Sequence, residues 1–324
     1  MNQRIKTLRE QSLKAVNTLS AERALLITKY YSSQQVEGCP TPILRAQAFD
    51  YLMSHKSICI NPGELIVGER GPAPKAAPTY PEVCLHSLDD LQLISTRPKV
   101  SFRVDEETFR VYRDTIIPFW RGKTLRDMIF SSVSEEWRKA YDAGVFTEFQ
   151  EQRAPGHTVA GKKVFQKGML DLIDDVDASL NKLTKDNNGC TKAKIEELEA
   201  MRIAANAIIK FANRYADELE RLAKIEVDAN RRVELGEMAA ICRRVPAHAP
   251  QTFHEALQHY WFIHLGVITE LNPWDSFNPG RLDQHLYPFY LNDIKEGKLT
   301  HEGAVELLQA FWVKFNNHPS PPKM

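Results

Sequence analysis

The chain has 324 residues, with 42 Lys and Arg against 42 Asp and Glu, 10 His, 43% apolar residues and 26% charged ones. That balance supports a globular core, allows two or three domains or one large one, and excludes global disorder and the basic excess of a nucleic-acid-binding protein. No apolar run approaches the ~20 residues that span a bilayer. The charged start MNQRIKTLREQSLKAV does not read as a signal peptide, so a cytoplasmic location is expected.

In chain order the sequence reads as mostly α. Thr41-Pro42 is expected to open a helix, with Thr41 as N-cap and Pro42 at the first helical position, followed by Ile43, Leu44, Ala46, Phe49 and Leu52 at helical spacing. Glu64 to Gly68, between Pro62-Gly63 and Gly71-Pro72, is a short strand candidate. Gly71 to Pro81 reads as a proline-rich loop, and Lys185 to Gly189 as a turn or linker. A long helix covers about Thr191 to Ile225, with an apolar stripe of Ile195, Leu198, Met201, Ala205, Ile208, Ala212, Tyr215, Leu219 and Leu222. Thr252 to Glu255 has a capping-box pattern, and the helix after it, ALQHYWFIHLGVI, is apolar nearly all round, which places it deep in a core. The last helix, Glu302 to Lys314, carries Val305, Leu308 and Trp312.

Two familiar motifs fail on inspection. Gly156 to Lys163 mimics a phosphate-binding loop, but Lys163 replaces the hydroxyl that holds magnesium, and the polar stretch before it ends in proline. His254 and His259 mimic a zinc pair, but a spacing of five residues turns one imidazole about 140° from the other on a helix. The five cysteines, Cys39, Cys59, Cys84, Cys190 and Cys242, are widely spaced without a C-x-x-C pair. A disulfide framework or a structural zinc site is not expected, and a reducing compartment is.

Two segments concentrate chemistry. Glu151 to Thr158 places His157 after a glycine that lets backbone approach a ligand, and it reads either as a surface loop or as a functional one. Thr269 to His285 follows the most apolar helix and holds acids, amides, Trp274, Arg281 and His285. Such groups near a core form either a satisfied structural network or the wall of a pocket for a polar ligand.

At these segments the chain resembles the glycyl radical enzymes, the pyruvate formate-lyase and B12-independent dehydratase superfamily. The resemblance runs over essentially the whole chain. It rests on Ser20 to Leu25, Gly63 to Gly68, Arg281 to Gln284 with Tyr287 to Tyr290, and Leu308 to Lys314. Within the superfamily it resembles the hydroxyproline dehydratase branch, through Ala77 to Glu82, Glu151 to Thr158, Thr269 to Asn272 with Trp274-Asp275, and Phe315 to Asn317 before Pro321-Pro322-Lys323.

The resemblance implies a fold in which residues 1–324 form the truncated N-terminal, helical part, with few strands, of one pyruvate formate-lyase-type α/β barrel domain. It implies no directly bound cofactor. The reactive centre is a protein glycyl radical, installed by a radical-SAM activating enzyme and passed to a cysteine. Neither the cysteine nor the glycine motif occurs in this chain; both are expected beyond Met324, so the chain alone is expected to be inactive. The implied substrate is a small molecule like 4-hydroxyproline, which loses its C4 hydroxyl as water to give a pyrroline-5-carboxylate. The full-length protein is expected to be a homodimer, with no nucleic-acid or membrane partner. His157 matches the histidine near the leaving hydroxyl, Asp275 the carboxylate facing the ring ammonium, and Trp274 part of the pocket wall. Arg281 and Asp283 are expected to form a structural ion pair or network. The alternatives are a glycerol, diol or formate-lyase type activity on the same scaffold, or a helical binding scaffold without catalysis.

Overall fold

The computed structural model describes residues 2–33, 38–146, 160–183, 191–271 and 279–319. The chain opens with helix α1 (Gln3–Lys14), strand β1 (Thr18–Ser20), α2 (Glu22–Tyr31) and α3 (Thr41–His55), and reaches strand β2 (Ala76–Pro78). Helices α4 (Leu88–Thr96), α5 (Glu106–Val111), α6 (Ile117–Trp120), α7 (Leu125–Ser132), α8 (Glu135–Asp142) and α9 (Met169–Leu183) follow. The long α10 (Thr191–Ile225), then α11 (Ala229–Arg244), α12 (Phe253–Glu270), α13 (Leu282–Lys295) and α14 (His301–Asn316), complete the described chain. The expected mostly helical fold with few strands is what forms. The strands pair in parallel, Thr18 with Ala76, Leu19 with Ala77 and Ser20 with Pro78.

Local chemistry sets most helix starts. Asn2, Ser87, Asp105, Thr124, Ser134, Asp228, Thr252 and Thr300 each accept a backbone N–H of the first turn. Thr41 does not. Pro40 stands at the N-cap of α3, which shifts Thr41 to the first helical position and Pro42 to the second, with no side-chain cap. At α12 half of the expected capping box forms. Thr252 Oγ1 accepts the Glu255 N–H at 3.2 Å, whereas the Glu255 carboxylate takes the Gln251 N–H at 2.7 Å.

The 35-residue α10 runs along α3, α9 and α11. Its core face is Ala200, Ala205, Ala207, Phe211, Ala212, Tyr215, Ala216 and Leu219, so the expected stripe holds except at Met201, which is 57% exposed. Helix α14 buries one face and leaves another outside. Ala304, Leu307, Ala310, Phe311 and Lys314 are buried, while Val305 and Trp312 line an outer apolar groove of about 500 Å³ with Leu282, Leu286 and Tyr287 of α13. Ala304 and Ala310 let α14 pack closely inward beside the buried Leu307 and Phe311, while Val305 and Trp312 are left outside.

Helix α12 is the axis of the core, with 15 of its 18 residues buried. Against it lies Glu64 to Gly68, which is not a strand. Its run of apolar residues satisfies the pattern of a strand, but its backbone bonds to helix side chains instead of to another strand. His254 Nε2 donates to Leu65 O at 2.7 Å. The Gln258 amide accepts the Val67 N–H at 2.8 Å and donates to Val67 O at 2.9 Å, as a neighbouring strand would. Trp261 Nε1 donates to Gly68 O at 2.9 Å. These residues stand at i, i+4 and i+7, one face of the helix. Gly68 has φ +121°, and a Cβ there would meet Leu265 Cδ1 at 2.5 Å, so only glycine lets the backbone pass so close. The proline-rich stretch Gly71 to Pro81, expected to be loop, contains β2.

Replacing Gln258 by Leu keeps the volume but orphans the Val67 N–H and C=O. Each buried unpaired group costs roughly 1–3 kcal/mol. Urea unfolding of the 324-residue chain, followed by circular dichroism, is expected to show that loss, and an unchanged midpoint would contradict the pairing.

Candidate active site

His157, Trp274 and Asp275 lie outside the described residues, as does the Lys185–Gly189 turn. The described structure gives the anchors on either side of their segments. Upstream of Trp274 and Asp275, α12 ends in a turn whose last three carbonyls all accept side-chain donors. The Tyr80 hydroxyl donates to Ile268 O. Arg23 Nε donates to Thr269 O at 2.6 Å, and Arg23 Nη2 lies 3.5 Å from Glu270 O. Arg23 Nη1 also donates to Thr79 O at 3.2 Å, and Glu82 receives both Nη groups at 3.1 and 2.5 Å. The guanidinium sits 4.0 Å from the Tyr80 ring centroid. Tyr112 donates to Thr79 Oγ1 at 2.5 Å, and Arg45 pairs with the Glu270 carboxylate at 2.5 Å.

Burial works against the charge of Arg23, but Glu82, with Tyr80 and Glu270, outweighs it and holds the guanidinium above its ordinary pKa. A permanent cation therefore lies at the C-terminal, negative end of α12. Thr269 Oγ1 is buried there without a hydrogen-bond partner among the described residues.

Ahead of His157 the described chain stops at Phe146, in an aromatic cluster where Trp137 stacks on Tyr141 at 5.4 Å and meets Phe146 edge-on at 5.0 Å. It re-enters at Ala160, in the left-handed conformation, and a 3₁₀ turn over Gly161–Phe165. There Phe165 stacks on His285 of α13 at 5.2 Å and on Tyr260 of α12 at 6.3 Å. His285 follows the Trp274 and Asp275 segment, so the downstream anchors of both segments touch. Of the phosphate-loop mimic only residues 160–163 are described; Lys162 and Lys163 are exposed. Arg281 and Asp283 are both exposed and form no ion pair with each other among the described residues, which corrects that expectation.

A second charged cluster was not foreseen as such. Lys314 Nζ donates to Glu64 Oε1 at 2.7 Å and to Glu69 Oε1, with all three side chains at most 4% exposed. Asn317 Nδ2 adds a bond to Glu69 Oε1 at 3.0 Å, and His318 Nε2 donates to Glu69 Oε2 at 2.9 Å. Ser12 of α1 donates to Asn317 Oδ1 at 2.6 Å. Burial disfavours every charge here. For Glu69, Lys314 and the His318 bond reverse it and pull the carboxyl down to about 2. For Glu64, burial and the neighbouring Glu69 charge prevail and push its pKa up. Lys314 is held above its ordinary value because two carboxylates outweigh its burial. Lysine within the apolar run Phe311 to Phe315 was the one visible signal, since a buried lysine requires a carboxylate.

Cys39, Cys59 and Cys242 are free thiols. Burial pushes Cys59 up to about 11 and raises Cys242 too, so neither is an activated thiolate. Among the described residues no His, Cys, Asp or Glu group is arranged to hold a metal, and no helix is long and apolar enough to cross a membrane.

Over residues 1–324 the chain matches the family described as PFL-like, pyruvate formate lyase-like. It is 47% identical over 323 residues to trans-4-hydroxy-L-proline dehydratase of Clostridioides difficile, covering 99% of this chain and 41% of that protein. It superposes with TM-score 0.96 and 46% identity on the crystal structure of that hydroxyproline dehydratase with its substrate bound, covering 100% of this chain and 41% of the other. The B12-independent glycerol dehydratase of Clostridium butyricum superposes with TM-score 0.92 at 31% identity, over 99% of this chain and 40% of the other.

The buried histidines around this core make its stability sensitive to acid. Burial pushes His86, His259 and His318 down to about 4 and His264 to about 3, against an ordinary value of 6.5. Between pH 6.5 and 4 the unfolded chain binds the protons that these folded imidazoles refuse, so stability falls as pH drops. Burial lowers His254 as well, so Glu64, pushed the other way, opposes them as one group against five. Denaturation midpoints of the 324-residue chain are expected to fall from pH 7 to pH 5, with His259→Gln removing up to about 1.4 kcal/mol per pH unit of that slope. A flat profile would contradict the burial of neutral imidazoles.

Proposed function

The chain belongs to the pyruvate formate lyase-like family, and from that premise we propose that it is the N-terminal, substrate-contacting part of a glycyl radical dehydratase acting on trans-4-hydroxy-L-proline. The observation that carries this reading is the gap between 47% identity to the hydroxyproline dehydratase and 31% to the glycerol dehydratase, on nearly the same stretch of chain. The chain spans 41% of the length of that hydroxyproline dehydratase. On this reading the cysteine and glycine of the radical pair belong to the remainder of the complete protein, a cytoplasmic homodimer activated by a radical-SAM partner.

The radical pair supplies removal and return of one hydrogen atom beside the ring nitrogen. The residues of this chain bind the substrate and move a proton. Asp275 holds the ring ammonium through a charge-assisted bond, which orients the ring and selects a cationic amino acid over a neutral diol. Departure of the C4 hydroxyl as water needs one proton at that oxygen. His157 supplies it, since an imidazole exchanges protons near neutral pH. Trp274 forms wall.

Joined to its remainder and activated anaerobically, the enzyme is expected to convert trans-4-hydroxy-L-proline to a pyrroline-5-carboxylate. Asp275→Asn is expected to lower kcat/KM roughly 10- to 100-fold, the loss of one charged hydrogen bond. Unchanged kcat/KM would remove Asp275 from the site. Loss of a general acid costs roughly 10²- to 10⁴-fold, and His157→Ala is expected to slow turnover on that scale while the glycyl radical signal by electron paramagnetic resonance stays intact. Full activity beside that signal would end its role.

A further inference from the structure

Helix ends normally leave their last carbonyls to water. At α12 the carbonyls of Ile268, Thr269 and Glu270 are instead held by Tyr80 and Arg23, side chains from two other parts of the chain. We propose that Arg23 is a positioning residue of the active site. Acting through Thr269 and Glu270, it sets the place and direction of the turn that precedes Trp274 and Asp275. This rests on the role given to Asp275 above.

Three features separate this from ordinary capping. Helix α12 has 15 of 18 residues buried, so packing already holds it as a helix. The arginine uses its planar geometry fully: Nε, Nη1 and Nη2 reach three backbone carbonyls, those of Thr269, Thr79 and Glu270, and both Glu82 oxygens, while the Tyr80 ring covers one face. A lysine, a point charge with three donors, cannot bridge that set. Finally, the turn is gripped from both sides, since Arg45 holds the Glu270 carboxylate at 2.5 Å while Arg23 faces its carbonyl. A rigid frame on both sides is what a carboxylate five residues beyond Glu270 needs if it is to meet a small substrate at one distance.

The test is Arg23→Lys, which keeps the charge and loses the plane. In the complete, radical-bearing enzyme, kcat/KM for trans-4-hydroxy-L-proline per radical spin is expected to fall roughly tenfold or more, mainly through KM, because small misplacements at a site are costly. A purely structural role would lower folded yield and spin count together and leave turnover per spin unchanged. In the 324-residue chain, amide exchange at Val267 to Leu271 is expected to quicken roughly tenfold while α14 is unaffected. Wild-type values for both readouts overturn the proposal. Should Arg23→Lys not fold, Tyr80→Phe, which removes only the hydroxyl on Ile268 O, decides: faster exchange at the turn supports the frame, and unchanged exchange overturns it. The exchange measurement needs no substrate. A wild-type enzyme that bears its radical but leaves hydroxyproline untouched therefore refutes the functional reading, while the hold of Arg23 on the turn is still decided by exchange.

Discussion

A peptide group buried without a partner costs about 1–3 kcal/mol, and Glu64 to Arg70 carries a run of such groups through the middle of the molecule. Among the described residues no strand lies beside it to pair with. The solution is a helix that acts as a strand, with His254, Gln258 and Trp261 of α12 serving Leu65, Val67 and Gly68. This requirement explains why the most apolar helix carries polar side chains on one face. It also fixes the rotation of α12 about its axis, and thereby where its C-terminal turn points.

Two charged clusters then hold the ends of this arrangement. Lys314, Glu64, Glu69 and His318 clamp the buried segment to α14, and Arg23 with Glu82 clamps the far end of α12 to the loop after β2. Buried ion pairs add little net stability, because desolvation consumes most of the attraction. Their contribution here is geometric. Each charge has few acceptable positions, so the elements that carry them have few acceptable arrangements. The contact between Phe165 and His285 joins the described residues that follow His157 to those that follow Asp275.

What was legible in the sequence was what one helix can show by itself. Helical periodicity located α10, α12 and α14, and the all-round apolarity of α12 announced its burial. What failed depended on partners. Residues 64–68 have strand composition, yet their partner is a set of helix side chains about 190 positions away, at separations of 189, 191 and 193. On α14, Val305 and Trp312 lie outside while Ala304, Leu307, Ala310 and Phe311 are buried, a choice of face that the helix's own apolar residues do not reveal. The segments on which the family resemblance rests include Arg23, Glu64 and Lys314, so the resemblance was reading buried charges whose partners no local pattern reveals. His157, Trp274 and Asp275 came from that resemblance alone; spacing and composition marked only their neighbourhoods as polar.

The bonds that seat α1 are among the longest-range in the molecule. Asn2 meets Glu306 across 304 positions, Ser12 meets Asn317 across 305, and Arg4 meets Glu234 across 230. Closing a loop of that size carries an entropic debt, which grows with the logarithm of its length. Helix α1 therefore has no complete berth until α14 has been made some three hundred residues later. Of these two helices the one made earlier thus waits for the later one, and their contact closes about three hundred residues of chain, like a clasp.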